Sequence, residues 1–169
     1  MLGQDIAVLL KLTLRRGSRV LSKTLASELY LSPAEISKSL RRCQGSGLLY
    51  WSDLEKRVNR PALLEFLIHG MRYVFPAEKG GLVRGLPTSI AAAPLKEHVV
   101  DRGEPPPVWP HAGGTVRGIS LSPLYKAAPQ AALADAKLYE LLAVCDAIRD
   151  GRTRERGLAA DYLRRTLNA

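Results

Sequence analysis

Between Thr24 and Tyr50 the apolar positions fall at helical spacing on two short segments. Leu25, Ala26 and Leu29 make one face, Leu31-Ser32 interrupts it, and Ile36, Leu40 and Cys43 resume at i, i+4 and i+7. Ser32 is placed to cap the second segment, and Pro33 takes its first position, where a missing N–H costs nothing. The pattern predicts a helix over about 33–45 that stops at Gly45-Ser46-Gly47, preceded by one over about 23–30 with Ser22 as its cap. Upstream, Ile6, Leu9, Leu10 and Leu14 stripe a first helix over 4–16. Downstream, Leu48 to Trp51 reads as a short strand, and Asp53 to Asn59 as a returning strand or short wing. Pro61 opens a helix that Gly70 ends, and Arg72 to Phe75 is predicted as a strand terminated by Pro76.

Beyond residue 75 the periodicity breaks. Prolines and glycines recur through 76–127, with Val99, Val108, Trp109, Ile119, Leu121 and Tyr125 spaced among them. The expectation is an ordered, irregular arm or linker with one or two short strands, Trp109 filling a hydrophobic socket. Helical patterning returns at 130–150, where Leu133, Leu138, Leu141, Leu142, Cys145 and Ile148 form a broad stripe. A last helix over 154–167 turns Leu158, Tyr162, Leu163 and Leu167 inward. The chain thus divides into 1–75, 76–127 and 128–169, the last a C-terminal helical pair for dimerisation or partner docking. The fold class is mainly α with a small β wing.

Charge sharpens this division. The net charge is +9 overall. Twelve Lys/Arg against six Asp/Glu in residues 1–75 give +6, six against four in 76–127 give +2, and seven against six in 128–169 give +1. The basic excess sits with the two-helix segment, and a polyanion is its natural partner. Two cysteines, Cys43 and Cys145, lie on apolar stripes and read as buried free thiols in a reducing compartment. The start of the chain is too short and acidic for a secretory signal, and no run is long enough to span a bilayer, so a cytoplasmic location is expected. His69, His98 and His111 have no metal-like spacing, no nucleophile elbow or carboxylate pair appears, and Ala77 to Gly85 lacks the Lys-Ser/Thr of a phosphate loop. No metal, cofactor or enzymatic activity is expected. Arg149, Arg152, Arg154 and Arg156 interleave with Asp146, Asp150 and Glu155 as a self-paired helix junction.

Opposite the buried stripe of 33–45 stand Ala34, Lys38 and Arg41, flanked by Ser37 and Arg42. A helix with an apolar back and a small, cationic front fits the DNA major groove. The pattern LAxxLxLSxxxISxxLRRCxxxGLL resembles the winged helix-turn-helix superfamily, in particular MarR- and Rrf2-like bacterial regulators, over about residues 4–60. That resemblance implies that Ser32, Ala34, Ser37, Lys38, Arg41 and Arg42 face DNA, with Lys56, Arg57 and Arg60 on the wing. Lys38 or Arg41 would pair with guanine, while Arg42, Arg57 and Arg60 would contact phosphates. The chain departs from the family in its short wing and in the helix that follows it. A second, vaguer likeness, carried by PALLEFLIHGMRYVFPAEKGGLVRG and LYELLAVCDAIRDGRTRERGLA, is to winged-helix antitoxin-like regulators encoded beside nucleotidyltransferase-type toxins.

These features imply a sequence-specific regulator of transcription that represses its own operon as a homodimer on double-stranded DNA. Leu138, Leu141, Leu142, Cys145 and Ile148 are the candidate dimer or partner surface; the alternative is that they pack back onto helix 61–70. Two other classes stay open. One is a protein-interaction module docking a co-encoded toxin or enzyme. The other is a binder of RNA or single strands that stacks bases on Tyr50, Trp51 and Trp109.

Overall fold

The stripes of the first three helices close on one another. In a computed structural model, which describes residues 1–15, 21–51, 55–99 and 103–168, these are α1 (Gly3–Leu14), α2 (Ser22–Leu29) and α3 (Pro33–Gly45). Every residue of α1 from Asp5 to Thr13 is buried, because α2, α3 and a later helix enclose it. The start of α3 follows the sequence closely. The Ser32 hydroxyl accepts from the Glu35 amide at 3.2 Å, and the Glu35 carboxylate accepts from the Ser32 amide at 2.8 Å. That reciprocal box satisfies two otherwise orphaned donors. Ser22 is not a cap: it is the first residue of α2, whose cap position, Leu21, offers no side-chain acceptor. The tight link between α2 and α3 needs a left-handed residue, and Tyr30 supplies it with φ of 54°, letting the Leu31 amide reach the Ala26 carbonyl at 3.0 Å.

After Gly47, itself at φ +73°, the chain forms a hairpin of β1 (Leu49–Trp51) and β2 (Lys56–Val58) with Tyr50 opposite Arg57. The remainder of the expected wing, residues 52–54, lies outside the described residues. The next helix is longer than its sequence implies. It runs as α4 (Arg60–Glu65), a π-helical turn over Phe66–Gly70 and α5 (Met71–Val74). The expected strand at Arg72–Phe75 is therefore helical, and Gly70 is no stop. The π turn widens the helix where Gly70 meets the Phe66 ring; a Cβ there would stand 3.1 Å from it.

Among the described residues of 79–121 there are three strands, where an irregular arm with one or two was expected. In β3 (Lys79–Pro87), β4 (Pro107–Pro110) and β5 (Val116–Leu121), β3 pairs antiparallel with both partners, and β4 pairs parallel with β5, closing a small barrel. The glycines make that closure possible. A Cβ on Gly85 would collide with the Trp109 carbonyl, and one on Gly118 with the Pro106 carbonyl.

The C-terminal part is α6 (Ala128–Ala134), α7 (Ala136–Asp150) and α8 (Thr153–Asn168). The single helix expected over 130–150 is broken by Asp135, whose carboxylate accepts from the Lys137 and Leu138 amides and so starts α7 afresh. Leu133, expected inward, is 56% exposed as a consequence. Helix α7 is the centre of the molecule, packed on by α1, α5, α6, α8 and the 3-10 turn Ser89–Ala91. Leu138, Leu141, Leu142, Cys145 and Ile148 are each at most 1% exposed within one chain. They are core, not a dimer or docking surface; a stripe that broad signals a helix covered on most sides. One hydrophobic cluster runs from Ile6 to Leu167, joining all three segments of the sequence-based division.

Polar groups lock the barrel onto α7. The fully buried Asp146 carboxylate accepts from the Thr88 hydroxyl at 2.7 Å, the Trp109 indole N–H at 2.6 Å and Arg149 Nη1 at 2.6 Å. Arg149 also donates to the carbonyls of Phe75, Pro76 and Ser122. Burial pushes the Asp146 carboxyl upward against the pull of Arg149, Thr88 and Trp109. Among the described residues no helix is long and apolar enough to cross a membrane.

Candidate nucleic-acid interface

The front of α3 is set by what its back buries. Ile36, Ser39, Leu40 and Cys43 point into the core, which leaves Ala34, Lys38 and Arg41 exposed in a row one helical turn apart. Ser37, half-buried, turns its hydroxyl back to the Pro33 carbonyl at 3.0 Å, and Ser32 is committed to the cap. Among the described residues, neither Lys38 nor Arg41 takes part in an ion pair. Two long cations thus extend from one face of a helix closed at its start by a capping box.

The hairpin stands beside this helix and is tied to it. Gln44, in the last turn of α3, donates to the Trp51 carbonyl at 3.0 Å. Across the strands, the Arg57 guanidinium lies 5.2 Å from the centre of the exposed Tyr50 ring, which orients the cation without neutralising it. Lys56 is half-buried on the neighbouring position. Gln44 is the part of this face that the sequence did not single out, and Tyr50 and Arg57, each named there for a different role, meet across the hairpin. The capping partner Glu35 could have been read from the S-x-x-E spacing.

Besides Ser32, two of the expected contact residues are engaged elsewhere. Arg42 donates Nε and Nη2 to the Asp5 carboxylate at 2.8 and 2.7 Å, while the Ser39 hydroxyl donates to the same group at 2.6 Å. Burial alone would raise the Asp5 carboxyl, but these bonds, the Leu2 amide and the Arg42 charge outweigh it and hold it below the usual carboxylate range. Arg42 is thus a strut between α3 and α1. Arg60, expected on the wing, begins α4 and directs its guanidinium to the carbonyls of Thr13 and Leu167 at 3.4 and 3.5 Å. It closes the ends of α1 and α8, where unpaired helix carbonyls carry partial negative charge.

Of the three aromatic residues expected to stack on bases, Tyr50 is exposed and Trp109 is not. Trp109 is 1% exposed and stacked at 5.4 Å on Tyr139, so it fills a socket rather than offering a platform to a base. Both cysteines are buried free thiols, and burial pushes the Cys43 thiol up to about 12, out of reach of the reactive thiolate form at neutral pH. No group of three or more potential metal ligands is found among the described residues. Comparison with protein-family models, curated proteins and solved structures yields no match to the chain.

Proposed function

We propose that the chain is a winged helix-turn-helix protein that binds duplex DNA. In this reading α3 enters the major groove and the β1–β2 hairpin lies along the backbone. The observation that carries it is the exposed front of α3, where Lys38 and Arg41 stand outside every ion pair among the described residues, on a helix whose other face is buried. Both side chains are long enough to reach the O6/N7 edge of guanine, and Arg can do so bidentately. Arg57 serves as a phosphate contact beside them, and Lys56 supports it. The contact set is therefore Ala34, Ser37, Lys38, Arg41, Lys56 and Arg57, without Arg42 and Arg60 and without Ser32, whose hydroxyl caps α3.

As a regulator the protein acts as a repressor of its own operon and works as a homodimer. One recognition helix reads too few base pairs for genomic discrimination, and a two-fold pair doubles the site, with half-sites about 34–36 Å apart. The surface that joins the two copies lies outside the α7 stripe, which is already covered.

The test is fluorescence anisotropy with labelled duplex across a salt series. Binding should weaken steeply with salt, and Arg57→Ala should lower the magnitude of the log–log slope by about 1 while weakening all duplexes alike. A slope near zero, or tighter binding to single strands than to duplex, is incompatible with this function.

A further inference from the structure

The π-helical turn and α5 face the first half of α8, and between them lies a cleft of about 290 Å³. His69, Arg72 and Tyr73 form one wall, Arg156 and Gly157 the other, and Ile148 lies at its base. No carboxylate lines it. Like charges gathered without a counter-charge repel one another, so a cleft of this kind favours an anionic ligand. Arg156 is held in place by donating to the Gly151 carbonyl at 2.7 Å and the Thr153 hydroxyl at 3.4 Å, which leaves other N–H groups of its guanidinium for a ligand. The Arg72 guanidinium lies 5.1 Å from the centre of the Tyr73 ring and makes no side-chain hydrogen bond or ion pair among the described residues.

Two backbone features coincide with this cleft. The π turn Phe66–Gly70 carries His69, and such turns are rare and concentrate at functional sites. Gly157 sits inside α8, where glycine weakens a helix, yet a Cβ there would meet nothing within 4 Å. Packing within the chain therefore does not require this glycine. Its bare backbone leaves room for a ligand to approach.

We propose that this cleft binds a phosphate group. Paired arginines match phosphate oxygens through forked N–H donors, and histidine and tyrosine add two more donors. The volume lies at the lower end for ligand pockets, enough for a phosphate and its nearest substituent. A small phosphate monoester and the backbone of a nucleic acid present the same chemistry. The proposal does not depend on α3 reading DNA.

The test is calorimetric titration of the full chain with orthophosphate, with adenosine monophosphate and with a duplex of arbitrary sequence. Arg72→Gln and Gly157→Leu are compared with the parent chain, and thermal melting checks the fold. At least one probe should bind, and Arg72→Gln should weaken it tenfold or more. Gly157→Leu should weaken it likewise while melting no lower than the parent. Loss confined to orthophosphate or the mononucleotide identifies a free ester as the source, and loss confined to duplex identifies the nucleic-acid backbone. The proposal is overturned if no probe binds at millimolar concentration, or if both variants bind every probe as the parent does.

Discussion

Asp146→Ala is expected to destabilise the protein by about 3–5 kcal/mol, as removal of one partner from a buried ion pair does. The loss falls on several groups together. Arg149, 4% exposed at its side chain, keeps its charge without a carboxylate, and the Thr88 hydroxyl and Trp109 indole lose their acceptor. Each orphaned donor adds a desolvation cost of about 1–3 kcal/mol unless water reaches it. The whole stability of a domain is only about 5–15 kcal/mol, so the midpoint of thermal unfolding should drop by roughly 6–20 °C for a chain of this size. The double variant Asp146→Leu with Arg149→Met should cost less than the sum of its single changes, since it leaves no unpaired buried charge. Melting curves of the two singles and the double measure this coupling; additivity would mean the pair is not the lock between barrel and α7.

Asp5→Ala should follow it at about 1–3 kcal/mol, since the Ser39 hydroxyl and Leu2 amide lose their acceptor while Arg42, 29% exposed at its side chain, can turn to water. Asp5 is 0% exposed and holds Arg42, Ser39 and the Leu2 amide at once, so its removal frees α3 from α1. The same bonds imply a pH dependence. Because the folded carboxyl is held below its ordinary value of 3.8, its contribution is complete above that value and disappears as pH falls through the lower folded value. Acid unfolding of the parent chain should therefore steepen below about pH 4. Asp5→Asn should show a shallower steepening, the rest coming from Asp135, which Lys11 and backbone amides also hold low; identical acid limbs for the two proteins would show that Asp5 is not held ionised by Arg42.

How far the sequence carried these conclusions depends on the range of the interactions involved. The segment from Ser32 to Gly45 was legible because cap, proline, stripe and stop all act within one helix. Arg42 was misassigned because its partner lies 37 residues away, and a cation beside other cations on a helix looks solvent-facing until Asp5 is placed. The barrel was hidden for a related reason. Its strands pair Leu82 with Ile119 and Leu86 with Trp109 across long separations, and glycines and prolines replace the residues that usually announce a strand. In α7 the stripe is visible in the sequence but its partner is not: of the two alternatives, a surface for another chain and packing onto the helix after Pro61, the second holds in part, since the π turn and α5 pack on α7 along with α1, α6 and α8. The π turn offered no local signal, since Gly70 reads as a stop and only tertiary packing carries the helix past it.

The two cations on α3 carry the functional account, and Arg41 tests it most directly. Duplexes enriched from a random library by the parent chain should be bound again by the parent in anisotropy titrations. Arg41→Glu should weaken that binding at least tenfold at fixed salt, since a guanine pair is worth about 1–3 kcal/mol and the reversed charge adds repulsion. Its circular dichroism and melting midpoint should stay at parental values, because Arg41 is exposed and outside every ion pair among the described residues. If Arg41→Glu folds normally and binds the enriched duplex as tightly as the parent chain, α3 does not read DNA.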